Sequence, residues 1–149
     1  MPLAELSIHG KLEGLSDQTV KDMHRALRLE YEDKFHYECG KDNANSKTNS
    51  LILDQLSKHE RRHAHAIEEM LGIEDAEIEK PANPCIGIKD INTEGFDEQV
   101  FQVGLKRERD AIKFYTKIAQ ESDHPRVKEV FYALAEVEYE HALLNKLLS

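Results

Sequence analysis

The sequence predicts an all-α protein: four long helices packed as a bundle, in two hairpins joined by a long crossover. Three observations carry that expectation. Apolar residues recur at spacings of three and four through four separate stretches, which is a helical period and not the alternation of a strand. Two short turn-like segments each fall between a pair of those stretches. A connection from about residue 73 to 95, containing Pro81, Pro84, Gly87 and Gly95, separates the pairs and is longer than antiparallel neighbours need.

The elements follow in order. Residues 1–16, with Pro2, Gly10 and Gly14, read as an irregular lead-in. Ser16 and Asp17 are N-cap candidates for a first helix over 18–39, with Val20, Met23, Leu27 and Tyr37 at helical intervals. The run from Gly40 to Ser46 has the composition of a turn. A second helix spans 48–71 and stops at Gly72. The third covers 96–120, and Ser122-Asp123-His124-Pro125 makes the second turn, with Pro125 suited to a first helical position. The last helix, 126–148, is the most clearly amphipathic, with Val127, Val130, Phe131, Leu134, Val137, His141, Leu144 and Leu148 on one stripe. A helix of about 25 residues is ~37 Å long, and ~11 extended residues run back along that length. Helices two and three are therefore expected to lie parallel, and the whole of 1–149 forms one domain.

Composition narrows the function. A formal net charge of −9 repels nucleic acid phosphates and anionic membranes, and weakly attracts divalent cations. No stretch approaches the roughly 20 apolar residues that span a bilayer. Met1-Pro2-Leu3-Ala4-Glu5 lacks the basic and then apolar pattern of a signal peptide, so a cytoplasmic location is expected. Cys39 and Cys85 form no CxxC pair, so neither a disulfide framework nor an iron–sulfur or rubredoxin-type site is expected, and Cys39 reads as a small buried residue.

The chemistry lies in an internal repeat. Glu30, Glu60 and His63 recur, at a constant offset of 78 residues, as Glu108, Glu138 and His141. Tyr37/Tyr115, Leu27/Leu105, Leu56/Leu134 and Ala64/Ala142 keep the same offset. Each Glu pair (30 with 60, 108 with 138) is equidistant from its own turn, which puts both members at one height on facing helices. Glu60 and His63, like Glu138 and His141, share a helix face at i and i+3. Four carboxylates and two imidazoles thus converge, a donor set for a pair of divalent metals. Four ionised Glu would balance two divalent ions; without them the carboxylates repel and some take up protons. Oxygen and imidazole donors without thiolate suit Fe(II) or Mn(II) over structural zinc. Tyr37 and Tyr115 read as packing residues or as partners of the ligands.

At these residues the chain resembles the rubrerythrin-like branch of the ferritin-like di-iron carboxylate superfamily, over about residues 18–148. The resemblance implies a ferritin-like bundle with two Fe ions per chain (Mn or Zn as substitutes). Glu60 and Glu138 would bridge them, and His63 with Glu30 and His141 with Glu108 would be terminal ligands. It implies reduction of hydrogen peroxide or dioxygen with electrons from an external donor protein, and a homodimer. The alternative within the same family is a ferritin-like ferroxidase or iron-handling protein oxidising Fe(II), which the same six ligands would serve. Two departures stand out: the Glu that typical rubrerythrins carry three residues after the helix-three ligand is Ala111 here, and the rubredoxin-like CxxC domain is missing from this sequence. Asp33, at the matching place in the first half, is a candidate for a swapped seventh carboxylate.

Two further readings compete. His59-Glu60-Arg61-Arg62-His63 matches the HExxH pattern of zinc proteases, but His59 recurs as Val137 and no strand is evident. A bundle whose site has lost its function is the other. His9, His24, His36, His65 and His124 have no repeat partner, and His65 is expected on the surface.

Overall fold

The computed structural model describes residues 10–74 and 78–149. His9, most of the expected lead-in and three crossover residues lie outside them. Among the described residues there are four helices and no strand: α1 (Asp17–Asn43), α2 (Lys47–Leu71), α3 (Phe96–Glu121) and α4 (Pro125–Leu148).

Local chemistry sets the ends. Ser16 caps α1 by accepting from the Thr19 amide, and Ser46 caps α2 by accepting from Asn49. Gly72 ends α2 in the left-handed conformation, φ 71°, where its amide reaches back to carbonyls of the last turn. Pro125 opens α4, and the His124 side chain accepts from the Arg126 amide.

One boundary differs from expectation. Gly40 was expected to begin a turn, yet α1 runs on to Asn43. Gly40 serves packing instead: a Cβ there would come within 2.7 Å of Val100 Cγ1 and 3.2 Å of Leu53 Cδ1. Its missing side chain lets α1 and α3 approach closely.

Helix direction can be read from pairings between helices. Along α1 and α3, His36 contacts the Val100 carbonyl, Asp33 meets Arg107, and Glu30 meets Tyr115. Numbers rise on one helix as they fall on the other, so α1 and α3 are antiparallel. Since α1 and α2 form a tight hairpin, α2 and α3 run parallel, as the crossover length implies. Asp97, in the first turn of α3, fastens the arrangement by accepting from the amides of Asn45 and Ser46 and from Asn49 Nδ2.

The crossover carries a second fastening that overturns an expectation. Cys39 and Cys85 form a disulfide, with Cα atoms 5.4 Å apart. A sequence separation of 46 hides the pairing; the returning crossover brings Cys85 to the C-terminal end of α1. His36 supports the same corner. Its Nδ1 accepts from the Ile86 amide and its Nε2 donates to the Val100 carbonyl, so the ring is neutral, and burial pulls its pKa down to about 4.

Two apolar clusters fill the interior. One gathers Met23, Leu27, Ile67, Met70, Ile118, Val130, Phe131 and Leu134; the other gathers Leu53, Leu56, Ile88, Phe96, Val100 and Phe101. Helix α4 is less one-sided than expected: besides its buried stripe it exposes Tyr132, Tyr139, Leu143 and Leu147, the last at 81%. No described helix is long and apolar enough to cross a membrane.

Candidate metal centre

Between the two apolar clusters lies a layer of ionisable side chains. Glu60, Glu108 and Glu138 are 0% exposed and Glu30 1%; His63 and His141 are buried beside them. All six residues singled out by the repeat meet here. They form two groups whose donor atoms lie within 4.8 Å of one another: Glu30, Glu60, His63 and Glu138 in one, Glu60, Glu108, Glu138 and His141 in the other. Glu60 and Glu138 belong to both.

Neighbouring side chains aim the donors. The Tyr37 hydroxyl donates to Glu108 Oε1 and the Tyr115 hydroxyl to Glu30 Oε1, both at 2.7 Å. Each bond ties one carboxylate oxygen and leaves the other for the cluster. His63 Nδ1 lies 2.8 Å from Glu138 Oε1, and His141 Nδ1 lies 2.9 Å from Glu60 Oε1. The two imidazoles therefore present the same nitrogen to the interior, as a repeat folded about a pseudo-twofold demands.

The electrostatics show what protons do in the absence of a cation. Burial, reinforced by Glu138 and Glu30, pushes the Glu60 carboxyl well above the usual carboxylate range. Burial would raise Glu138 too, but hydrogen bonds and attraction from His141 and His63 outweigh it and hold it at about 2. Burial disfavours a charged His63, yet Glu30 and Glu138 overcome that and raise it to about 9. His141 moves in the same direction, Glu138 again opposing the burial. Protons thus take the role of counter-ions.

The fit to metal rests on the leftover oxygens. The Oε2 atoms of Glu30, Glu60, Glu108 and Glu138 are buried and make no hydrogen bond. A buried acceptor without a partner costs about 1–3 kcal/mol, more when charged. Four such atoms converging from four helices suit divalent cations, which satisfy several carboxylate oxygens at once and carry the balancing charge.

Asp33 does not join either group. The Arg107 guanidinium holds its Oδ1 and also reaches Glu32, while burial, against the pull of Arg107, raises the Asp33 carboxyl to about 7. Asp33, the candidate for a swapped seventh carboxylate, is thus engaged by a guanidinium that α3 supplies at Arg107, whose counterpart in the first half is Leu29. Ala111 instead lines a cavity of about 150 Å³ beside Leu29, Asp33, Arg107 and Phe114.

His59 also departs from the zinc-protease pattern. It belongs to neither group and turns to His141, with Nδ1 3.0 Å from His141 Nε2 and the rings stacked. Both rings line a recess of about 280 Å³ between α2 and α4 with Leu51, Ile52, Gln55, Leu56 and Leu144. His65 is exposed, as expected.

Sequence reasoning also missed Asn145. It is fully buried and donates from Nδ2 to the Tyr37 hydroxyl and to the His141 carbonyl, both at 2.9 Å. Gly104 leaves room for it: a Cβ at 104 would fall onto Asn145 Oδ1 and stand 3.0 Å from the Tyr37 hydroxyl. Replacing Gly104 with Ala is expected to destabilise the protein by about 1–3 kcal/mol from overpacking, less the ~1 kcal/mol that alanine gains in a helix. Urea unfolding measures it; a stabilised variant would mean Asn145 moves aside freely.

Comparison with curated proteins and with solved structures gave no match. Comparison with protein families did: the rubrerythrin family matches residues 22–149, from the middle of α1's first turns to the last residue. That span contains all six clustered side chains and both tyrosines, and the chain belongs to the rubrerythrin family.

Proposed function

We propose that this protein is a di-iron oxidoreductase that reduces hydrogen peroxide or dioxygen with electrons from an external donor protein. One observation carries the reading: two donor groups that share Glu60 and Glu138, each completed by its own Glu and His. Glu30 with His63 would hold one iron, Glu108 with His141 the other, and Glu60 and Glu138 would serve both.

Bound iron would supply the electrons by which peroxide, with two electrons and two protons, becomes two waters. The chain's own part is placement and exclusion. Tyr37 and Tyr115 fix the terminal carboxylates through one oxygen each. The flanking apolar clusters keep bulk water from the donor layer. The recess at His59 and His141 is walled mainly by Leu51, Ile52, Leu56 and Leu144 and has no carboxylate among its lining residues. Such a mouth admits a small neutral oxidant more readily than a stream of hydrated Fe(II), which favours peroxide or dioxygen turnover over iron storage.

Anaerobic protein loaded with two Fe(II) per chain, mixed with peroxide or with dioxygen in stopped flow, tests the reading. Rapid oxidant consumption at a constant two irons is expected. Accumulation of many ferric ions per chain would establish the ferroxidase alternative instead.

A further inference from the structure

The internal repeat makes the two halves of the donor layer look interchangeable, but their surroundings differ. His141 has His59 on its outer nitrogen at 3.0 Å; the residue standing 78 positions from His59 is Val137, which has no polar side-chain atom to offer the other half. Tyr37, which holds Glu108, is itself held by Asn145 at 2.9 Å; the matching residue on the Tyr115 side is Ile67. Asn145 also holds the His141 carbonyl, so one buried amide ties the tyrosine and the histidine of the same half together. The Glu30–His63 half lacks both supports and has the Asp33–Arg107 pair nearby instead.

We propose that His59 and Asn145 are positioning residues that make the two cation positions unequal, so that a first divalent ion binds at Glu108–His141 and a second at Glu30–His63. This rests on the two-cation reading of the centre. A cation on His141 Nδ1 requires the lone pair there, which places the ring proton on Nε2. His59 Nδ1 accepts that proton's hydrogen bond and so selects the correct tautomer and ring orientation before the ion arrives. Asn145 fixes the Tyr37 hydroxyl, which in turn aims Glu108. In the other half Val137 and Ile67 offer no such bonds, so Tyr115 and His63 each have one fixing partner fewer, Glu30 and Glu138 alone. The ion must complete their ordering, at an entropic cost that lowers affinity.

Anaerobic titration of metal-free protein with Co(II), read by visible absorption and calorimetry, tests this without turnover. The unmodified chain should bind two ions in steps separated by about tenfold or more. Glu108→Ala should remove the tight step and Glu30→Ala the weak one. His59→Ala should weaken the tight step by about 10- to 100-fold and leave the weak one in place. His59→Gln, whose side-chain oxygen accepts the same bond, should recover much of it, and Asn145→Leu should weaken the tight step alone. Two equal steps in the unmodified protein, or His59→Ala weakening both steps alike or neither, would overturn the inference. If no Co(II) binds, the two-cation reading falls with it; if a single ion binds on His59 and His63 in metalloprotease fashion, His59→Ala removes it and the inference is overturned.

Discussion

Stripped of divalent metal, the protein is expected to lose stability as pH rises from 6.5 to about 9, and to regain it on metal addition. His63 sets the window. Its pKa is about 9 in the folded state against 6.5 for a free imidazole, so the fold keeps a proton that the unfolded chain has released. That contribution is fully present below pH 6.5 and disappears as pH climbs through 9, at most about 3 kcal/mol in all. His141 is raised as well and adds to the slope. Below pH 6.5 the picture is mixed: Asp33, raised to about 7, favours acid between 3.8 and 7, whereas neutral His36, lowered to about 4, loses its contribution as pH falls from 6.5 through 4. Above 6.5 only the falling contributions remain. Cations take over the charge balance from protons, so the rise in melting temperature on adding Mn(II) or Fe(II) should be larger at pH 9 than at pH 6.5. Circular dichroism melts of chelator-treated protein with and without metal decide it. A metal-free melting temperature that is flat or increasing over this range would refute the assigned proton positions.

Cutting the Cys39–Cys85 bond is expected to cost about 3 kcal/mol, or roughly 10 °C in melting temperature. The bond closes a loop of 46 residues that contains the α1–α2 turn, all of α2 and half the crossover. Opening it returns conformational freedom to the unfolded chain, and it also releases the corner where His36 and Ile88 pack. Cys85→Ser, Cys39→Ser and the double variant should behave alike, because each single change already abolishes the cross-link. Urea unfolding under non-reducing conditions gives the difference, and alkylation before and after reduction counts the thiols. A Cys85→Ser variant within about 1 kcal/mol of the unmodified protein would show that packing alone holds the crossover. Because cytosolic reductants keep most thiols reduced, the same alkylation on freshly lysed cells reports where the chain resides.

Much of the donor layer was legible because it is repeated. A self-comparison at one offset finds Glu30, Glu60, His63 and their partners without knowledge of any fold, and the hairpin spacing alone puts them at one height. What stayed hidden is what the repeat does not contain. His59, Asn145 and Arg107 act in one half only, and their partners lie 82, 108 and 74 residues away. The disulfide is similarly non-local. Gly40 misled for a different reason: the residue that favours turns also permits two helices to touch, and only Val100 on the neighbouring helix shows which use applies. The outer face of α4 deceived by its clear inner stripe, since a well-formed buried row says nothing of Tyr139 and Leu147 on the far side.

The four unsatisfied Oε2 atoms have a consequence beyond chemistry at the centre. A chain that folds around them without an ion stands nearer to unfolding than one that has found its ions, and proteases cut what unfolds more often. Supply of divalent metal would then govern the lifetime of each copy, and the quantity of this protein in a cell would follow that supply.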